Sequence, residues 1–446
     1  MFLSIIFACA TSDNVQSTEK TTSLFDNIES HSSEGNQEAK RSLIPSEWDG
    51  YNDPSLVLGS DYISNFDQLP LSANIDKEPW SGYYWAENKG GIAYRWKTDE
   101  TFDFHLYTKE EIMEAPLHKI EELSPAEKYD LLVGNYEWPL TYRSLSNGSP
   151  TEASWTGYCH GWAPASIDYE EPHPIVVENQ DGIKIPFGSS DIKALLTYFR
   201  ADVLTDKTFY DAWSVENKVL GGACGSSIAI DPACYDTNPA TFHIILGNML
   251  GHRGEGFVMD VDSTYERWNQ PVFAYDSWIR GEREPNEYAS SRAVKEYIVQ
   301  TTVRWTMEIH PKYTPVLNTS SQSIEERNYL YSLEVDEHNN IIGGQWMTET
   351  EHDSFIPLPL AWEYLLEFDD NGDGRPDFTK QTASEKIWKY FTIPDYIWIQ
   401  RNADFPDHFE DVYSKYSLIA TNNSTRKDLY YYLGELEGLY QQSIER

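Results

Sequence analysis

The chain is 446 residues long and carries 34 Lys+Arg against 72 Asp+Glu, a formal net charge of −38 at pH 7. A field of that sign repels phosphates and anionic headgroups, which excludes nucleic acid as a surface partner and leaves a membrane within reach only through a lipid anchor. Fifteen Trp, 30 Tyr and 18 Phe exclude a disordered chain, and no apolar run approaches the roughly 20 residues of a spanning helix. What remains is an acidic, aromatic-rich chain suited to divalent cations or to Lys-bearing substrates.

Met1 to Cys9 reads Met-Phe-Leu-Ser-Ile-Ile-Phe-Ala-Cys and then turns polar. An apolar stretch ending in Ala-Cys is similar to the end of a bacterial lipoprotein signal, in which Cys9 becomes the lipidated residue. The departures are a missing Lys/Arg n-region and a short apolar run. The expectation is an exported chain, either an outer-surface lipoprotein or secreted, with residues 1–9 as a signal remnant. Residues 10–44 hold 11 Ser+Thr and nine charges in 35 positions. Such a stretch buries too little to offset its ordering entropy and is expected to be a tether. In an exported chain Cys224 and Cys234 would pair, closing a short loop worth roughly 2–3 kcal/mol. That leaves Cys159 as a thiol in need of a reason.

Along the chain, Ser124-Pro125-Ala126-Glu127 predicts an N-cap, a Pro at the first helical position and a capping box. Ser190 predicts the cap of a second helix, with Ile192, Leu195, Leu196 and Phe199 on one face. Asn238-Pro239 opens a third, with Phe242, Ile245, Leu246, Met249 and Leu250 at helical spacing. Residues 256–262 read as a strand. From Tyr297 to Ile309 apolar residues alternate with mostly polar ones, a long half-buried strand. Tyr329, Tyr331, Leu333 and Val335 alternate likewise, and Asp336 to Asn340 turns the chain into Ile341 and Trp346, a hairpin. Leu429, Tyr432, Leu433, Leu436 and Tyr440 predict one face of a closing helix. Helices first and antiparallel strands after make an α+β chain.

The segment Trp155-Thr156-Gly157-Tyr158-Cys159-His160-Gly161-Trp162 is the most unusual. A nucleophilic Cys at a loop-to-helix junction has its thiolate favoured by unpaired N–H groups, which also suit a tetrahedral oxyanion. Flanking glycines would permit close approach of a substrate backbone. The structural alternative is a buried Cys packed among aromatics. A Cys nucleophile also needs a proton acceptor held by a third group. His243 lies 84 residues on, with His252 and His160 as rivals, and Asp260 and Asp262 follow in a strand. Alone, His243 reads equally as a helical residue on a polar face.

Asp369-Asp370-Asn371-Gly372-Asp373-Gly374-Arg375-Pro376-Asp377 carries a different signal. Side-chain oxygens of Asp369, Asn371, Asp373 and Asp377 stand at loop positions 1, 3, 5 and 9, with Gly374 at 6 and the Arg375 carbonyl at 7, a calcium pattern. Lys380 at position 12 replaces the usual Glu, which implies modest affinity. The structural alternative is an acidic surface turn.

Trp268-Asn269-Gln270-Pro271-Val272 resembles the elicitor peptide core of oomycete cell-wall transglutaminases. Gly157 to Ala163 resembles that family's active-site Cys segment, and Cys234, Asn238-Pro239 and Phe242-His243-Ile244 resemble its Cys…Asn-Pro…Phe-His stretch. The motifs stand in the family's order. Transglutaminase elicitors, which have bacterial relatives, imply acyl transfer from protein glutamine through a Cys thioester, calcium dependence and a papain-like fold. Position by position, Cys159 becomes the nucleophile, His243 the base and Asp260 its orienter, with Asn269 and Asp262 as supporting groups. Phe273-Ala274-Tyr275-Asp276 departs from the rest of the elicitor peptide, so plant immune recognition is not carried over.

The expectation is a catalytic region over 45–316 and a 317–446 region of hairpin, calcium loop and closing helix packed upon it. The function is a calcium-dependent protein-glutamine γ-glutamyltransferase taking glutamine donors and lysine or other amine acceptors. The alternatives are a papain-like peptidase or glutamine deamidase, and a non-catalytic calcium-stabilised surface-binding protein.

Overall fold

The computed structural model describes residues 46–205, 215–222, 235–261, 266–349, 355–357, 393–401 and 433–445. The expectations for Cys9, for segments 1–9 and 10–44, for Cys224 and Cys234, for Asp262 and for the loop of Asp369, Asn371, Asp373, Arg375 and Asp377 lie outside the described residues.

Helices α1 (Lys109–Glu114), α2 (Leu117–Glu121), α3 (Pro125–Leu132), α4 (Pro139–Ser146), α5 (Cys159–Asp168) and α6 (Ser189–Tyr198) precede most of the strands. The start of α3 follows its local sequence. Ser124 Oγ accepts the Glu127 N–H at 3.2 Å and the Glu127 carboxylate accepts the Ser124 N–H at 2.9 Å. Arg95 donates to the same carboxylate at 2.6 and 2.9 Å, tying the cap into the core. The start of α6 differs from expectation. Its cap is Gly188, in extended conformation, whose N–H is accepted by Asp191 at 2.7 Å. Ser190 is already helical and accepts the Lys312 N–H instead. In α7 (Pro239–Ile245) Asn238 Oδ1 accepts the Ala240 N–H at 2.9 Å, and the chain continues through wide π-type turns over Leu246–Arg253.

The main sheet is antiparallel throughout its described pairings. It uses β1 (Ser72–Asn74), β4 (Glu216–Gly221), β5 (Phe257–Asp260), β6 (Asn269–Arg283), β7 (Lys295–Thr306), β8 (Ile324–Val335), β9 (Ile341–Glu349), β10 (Phe355–Pro357) and β11 (Tyr396–Arg401). The order is β10-β9-β8-β7-β6-β5-β11-β4, with β1 also on β6. Strands β2 (Ile175–Glu178) and β3 (Lys184–Phe187) form a separate pair. The architecture is α+β. The sheet runs across residue 316: β8 continues it from β7, and β11 enters between β5 and β4. Helix α8 (Leu436–Ile444) closes the chain; Leu433, expected within it, has φ 53° and lies outside.

Two cores flank the sheet. One joins Trp162, Ala163 and Ala165 of α5 to α3, α6 and α8. The other joins Ala240, Phe242, Ile244 and Ile245 of α7 to β6–β9. Strands β5 and β11 divide them by alternation. Val258, Tyr396 and Trp398 point into the first core, while Phe257, Met259, Ile397 and Ile399 point into the second. Among the described residues no helix is long and apolar enough to cross a membrane.

Candidate active site

Cys159 opens α5, and the cap residue Tyr158 makes no side-chain cap. The Tyr158 N–H donates to the Tyr84 carbonyl at 2.6 Å, which pins the junction to the segment before it. The flanking glycines serve that packing rather than substrate approach. A Cβ on Gly157 would stand 2.6 Å from the Tyr84 carbonyl oxygen, and one on Gly161 would overlap the Thr197 carbonyl oxygen. The expectation of a glycine-lined substrate path is corrected accordingly.

The Cys159 thiol is buried. Its Sγ lies 3.5 Å from the Arg267 carbonyl oxygen, and Asn269 Nδ2 donates toward it at 3.6 Å. Asn269 is held in that orientation. Its Oδ1 accepts from Trp398 Nε1 at 2.8 Å and from the Tyr396 hydroxyl at 3.4 Å, so the amide nitrogen turns to sulfur. Asp260 is the cross-strand partner of Asn269, and its Oδ1 accepts the Trp268 N–H at 2.8 Å. The thiol at the start of α5 therefore touches Asn269, the first residue of β6, whose cross-strand neighbour in β5 is Asp260.

His243 is not among them, and the assignment of His243 as base is corrected here. Its Nδ1 bonds the Tyr331 hydroxyl at 2.8 Å, Tyr331 bonds Thr301 at 2.6 Å, and Thr301 bonds Ser277 at 2.7 Å. Ser277 lies eight residues along β6 from Asn269, roughly 25 Å at the usual strand rise. The α7 helix also packs in the second core, across the sheet from α5. The physical reason is that motif order in sequence does not say which face of the sheet a helix covers. Burial pushes the His243 imidazole down to about 4, so it is neutral. Of its rivals, His252 bonds the Gln68 carbonyl at 3.0 Å on the surface, and His160 meets the ring of Tyr158.

Two carboxyls and a phenol feel the Cys159 charge in their titration. Burial pushes Glu87 up to about 7, with Glu152 and then Cys159 adding repulsion. Burial pushes Glu308 up to about 8, and Cys159 acts in the same direction. Burial likewise raises Tyr84, whose ring meets Trp268 at 5.7 Å. Sequence reasoning missed Glu87, Gln270, Glu308, Tyr396 and Trp398. For the last two a signal existed: Tyr396-Ile397-Trp398-Ile399 after Pro394 is a short β-rich run of the kind that forms a buried strand.

The transglutaminase elicitor family matches residues 143–365 of the chain, half its length. The crystal structure of the GP42 transglutaminase from Phytophthora sojae superposes with a TM-score of 0.50 at 20% identity, covering 79% of this chain and 91% of that one. At that identity the likeness is one of fold. No curated protein is a significant sequence match.

Proposed function

Because the chain belongs to the transglutaminase elicitor family, we propose that it is a protein-glutamine γ-glutamyltransferase acting through a thioester on Cys159. The observation that carries the proposal is Asn269 Nδ2 at 3.6 Å from Cys159 Sγ, which ties the Trp-Asn-Gln-Pro-Val segment to the thiol. The positive end of α5 and the Asn269 N–H favour the thiolate. Cys159 attacks the glutamine carboxamide, the C–N bond breaks, and the thiol proton leaves with nitrogen as ammonia. In this reading a carboxyl carries that proton, and Asp260, beside Asn269 in the strand pair, is the group assigned. An amine then attacks the thioester, forming the amide and returning sulfur as thiol. Likeness to papain-like enzymes is retained for the nucleophile, a Cys opening a buried helix against an antiparallel sheet.

Calcium belongs to the same proposal. Asp369, Asn371, Asp373, Asp377 and the Arg375 carbonyl are hard oxygen donors at calcium spacing. The ion, when bound, would fasten that loop to the folded state and stabilise it by mass action. Chelation should lower the melting temperature, and Asp373→Ala should remove the response. Export, a Cys9 anchor and a Cys224–Cys234 bond remain part of the proposal.

The test uses a glutamine donor peptide, a fluorescent amine and calcium, with ammonia release and amine incorporation read separately. Cys159→Ser should lower both by on the order of 10⁴-fold or more. Ammonia without incorporation in the unaltered chain identifies a deamidase instead. Full activity in Cys159→Ser ends the thioester reading.

A further inference from the structure

Resting on the thioester reading of Cys159, we propose that Glu308 binds the acceptor ammonium beside the thiol and takes its proton before attack, with Gln270 as its positioning residue. Glu308 follows β7, and the next residue's N–H, that of Ile309, donates to the Gly82 carbonyl at 2.6 Å. That bond sets the carboxyl beside the Tyr83–Tyr84 segment, whose Tyr84 carbonyl holds the N–H that precedes Cys159. Gln270 adjoins Asn269, the residue on the Cys159 sulfur, and its Nε2 donates to both Glu308 oxygens at 2.8 and 3.0 Å.

Gln270 supplies a second, independent observation. It is 1% exposed, yet its Oε1 has no hydrogen-bond partner among the described residues. A buried acceptor left in that state is destabilising, and an ammonium N–H would satisfy it. In its ionised form Glu308 offers acceptors alone, as does the Gln270 amide oxygen, which is what an incoming R–NH₃⁺ requires.

Burial raises Glu308 to about 8 and the Gln270 bond opposes it; the Cys159 charge that adds to the rise in the free enzyme is absent once the sulfur is acylated. The ionised form of such a carboxyl is a stronger base than an ordinary glutamate, and it is populated as pH rises toward 8. Desolvation of the bound ammonium favours its neutral amine in turn. The step balances. R–NH₃⁺ gives one proton to Glu308, and the amine nitrogen forms a bond to the thioester carbonyl. The C–S bond breaks with its electron pair on Sγ, and the second N–H proton ends on sulfur.

The experiment compares two acceptors in one donor reaction: cadaverine, cationic near pH 7.5, and hydroxylamine, neutral there. In Glu308→Gln the ratio of cadaverine to hydroxylamine product should fall about 100-fold. Both products come from the same folded fraction, so the ratio survives any loss of folded protein. Glu308→Asp, which keeps the charge one methylene shorter, should restore part of the ratio. An unchanged ratio in Glu308→Gln overturns the proposal. Absence of ammonia release from the unaltered chain instead strikes the Cys159 reading beneath it.

Discussion

Cys159 and His243 are both buried, and each is a residue type that acyl transfer uses, yet the helices that carry them pack in two different cores. On the α5 side the thiol meets a side-chain amide, a backbone carbonyl and carboxyls whose titration responds to its charge. On the α7 side the imidazole meets a tyrosine hydroxyl and the ring of Phe66, stacked at 5.7 Å. That tyrosine is tied in turn to Thr301, so the α7 group belongs to a hydrogen-bonded row that ends in the sheet. The contrast teaches that mutual coupling, rather than residue type or burial, separates a reactive centre from a packed polar core.

The largest effect that sharpens this contrast is expected at Asn269. Asn269→Ala removes the donor on sulfur and leaves Trp398 Nε1 without its acceptor. Amine incorporation should fall about 100-fold, comparable to loss of one oxyanion donor. Incorporation within threefold of the unaltered chain would place Asn269 among packing residues.

His243 should move stability rather than rate. Its imidazole is held near 4 by burial, below the ordinary histidine value of 6.5. The unfolded chain therefore binds the extra proton between those values. The contribution is fully present above 6.5 and is lost as pH falls through 4, by on the order of 3 kcal/mol. His243→Gln keeps a polar partner for Tyr331 and removes the titration, so denaturant melts from pH 7 to pH 4 should show a shallower loss. A slope equal to the unaltered chain's would contradict the burial. The smallest effect follows from the same variant: at pH 7.5 its incorporation rate should stay within about twofold, since nothing in its row reaches Cys159. A large loss would return His243 to the catalytic centre.

What the sequence made legible was local. Ser124 with Glu127, and Asn238 with Pro239, act within one helical turn, so their caps are written in consecutive residues. The alternation of 297–305 is likewise a property of one strand. The Ser190 cap went astray by two residues because Asp191 serves as the acceptor for Gly188 and makes glycine sufficient. The site was legible in Cys159, Asp260 and Asn269 as residues, but not in the pairing of Asp260 with Asn269. Trp398 and Tyr396 reach Asn269 from more than 120 positions away, through a strand inserted between β5 and β4. Non-local pairing of that kind leaves no trace in spacing, and neither does the face of the sheet on which His243 falls.

The most direct measurement is the mass of the acyl-enzyme. The chain is mixed with a glutamine donor peptide in the absence of amine, quenched in acid within the first turnover, and digested for peptide mapping. The account predicts an adduct equal to the donor less ammonia on the peptide bearing Cys159, cleared by added cadaverine with formation of the amide. Amine incorporation at full rate with no adduct on Cys159, or with the adduct on another residue, would contradict it.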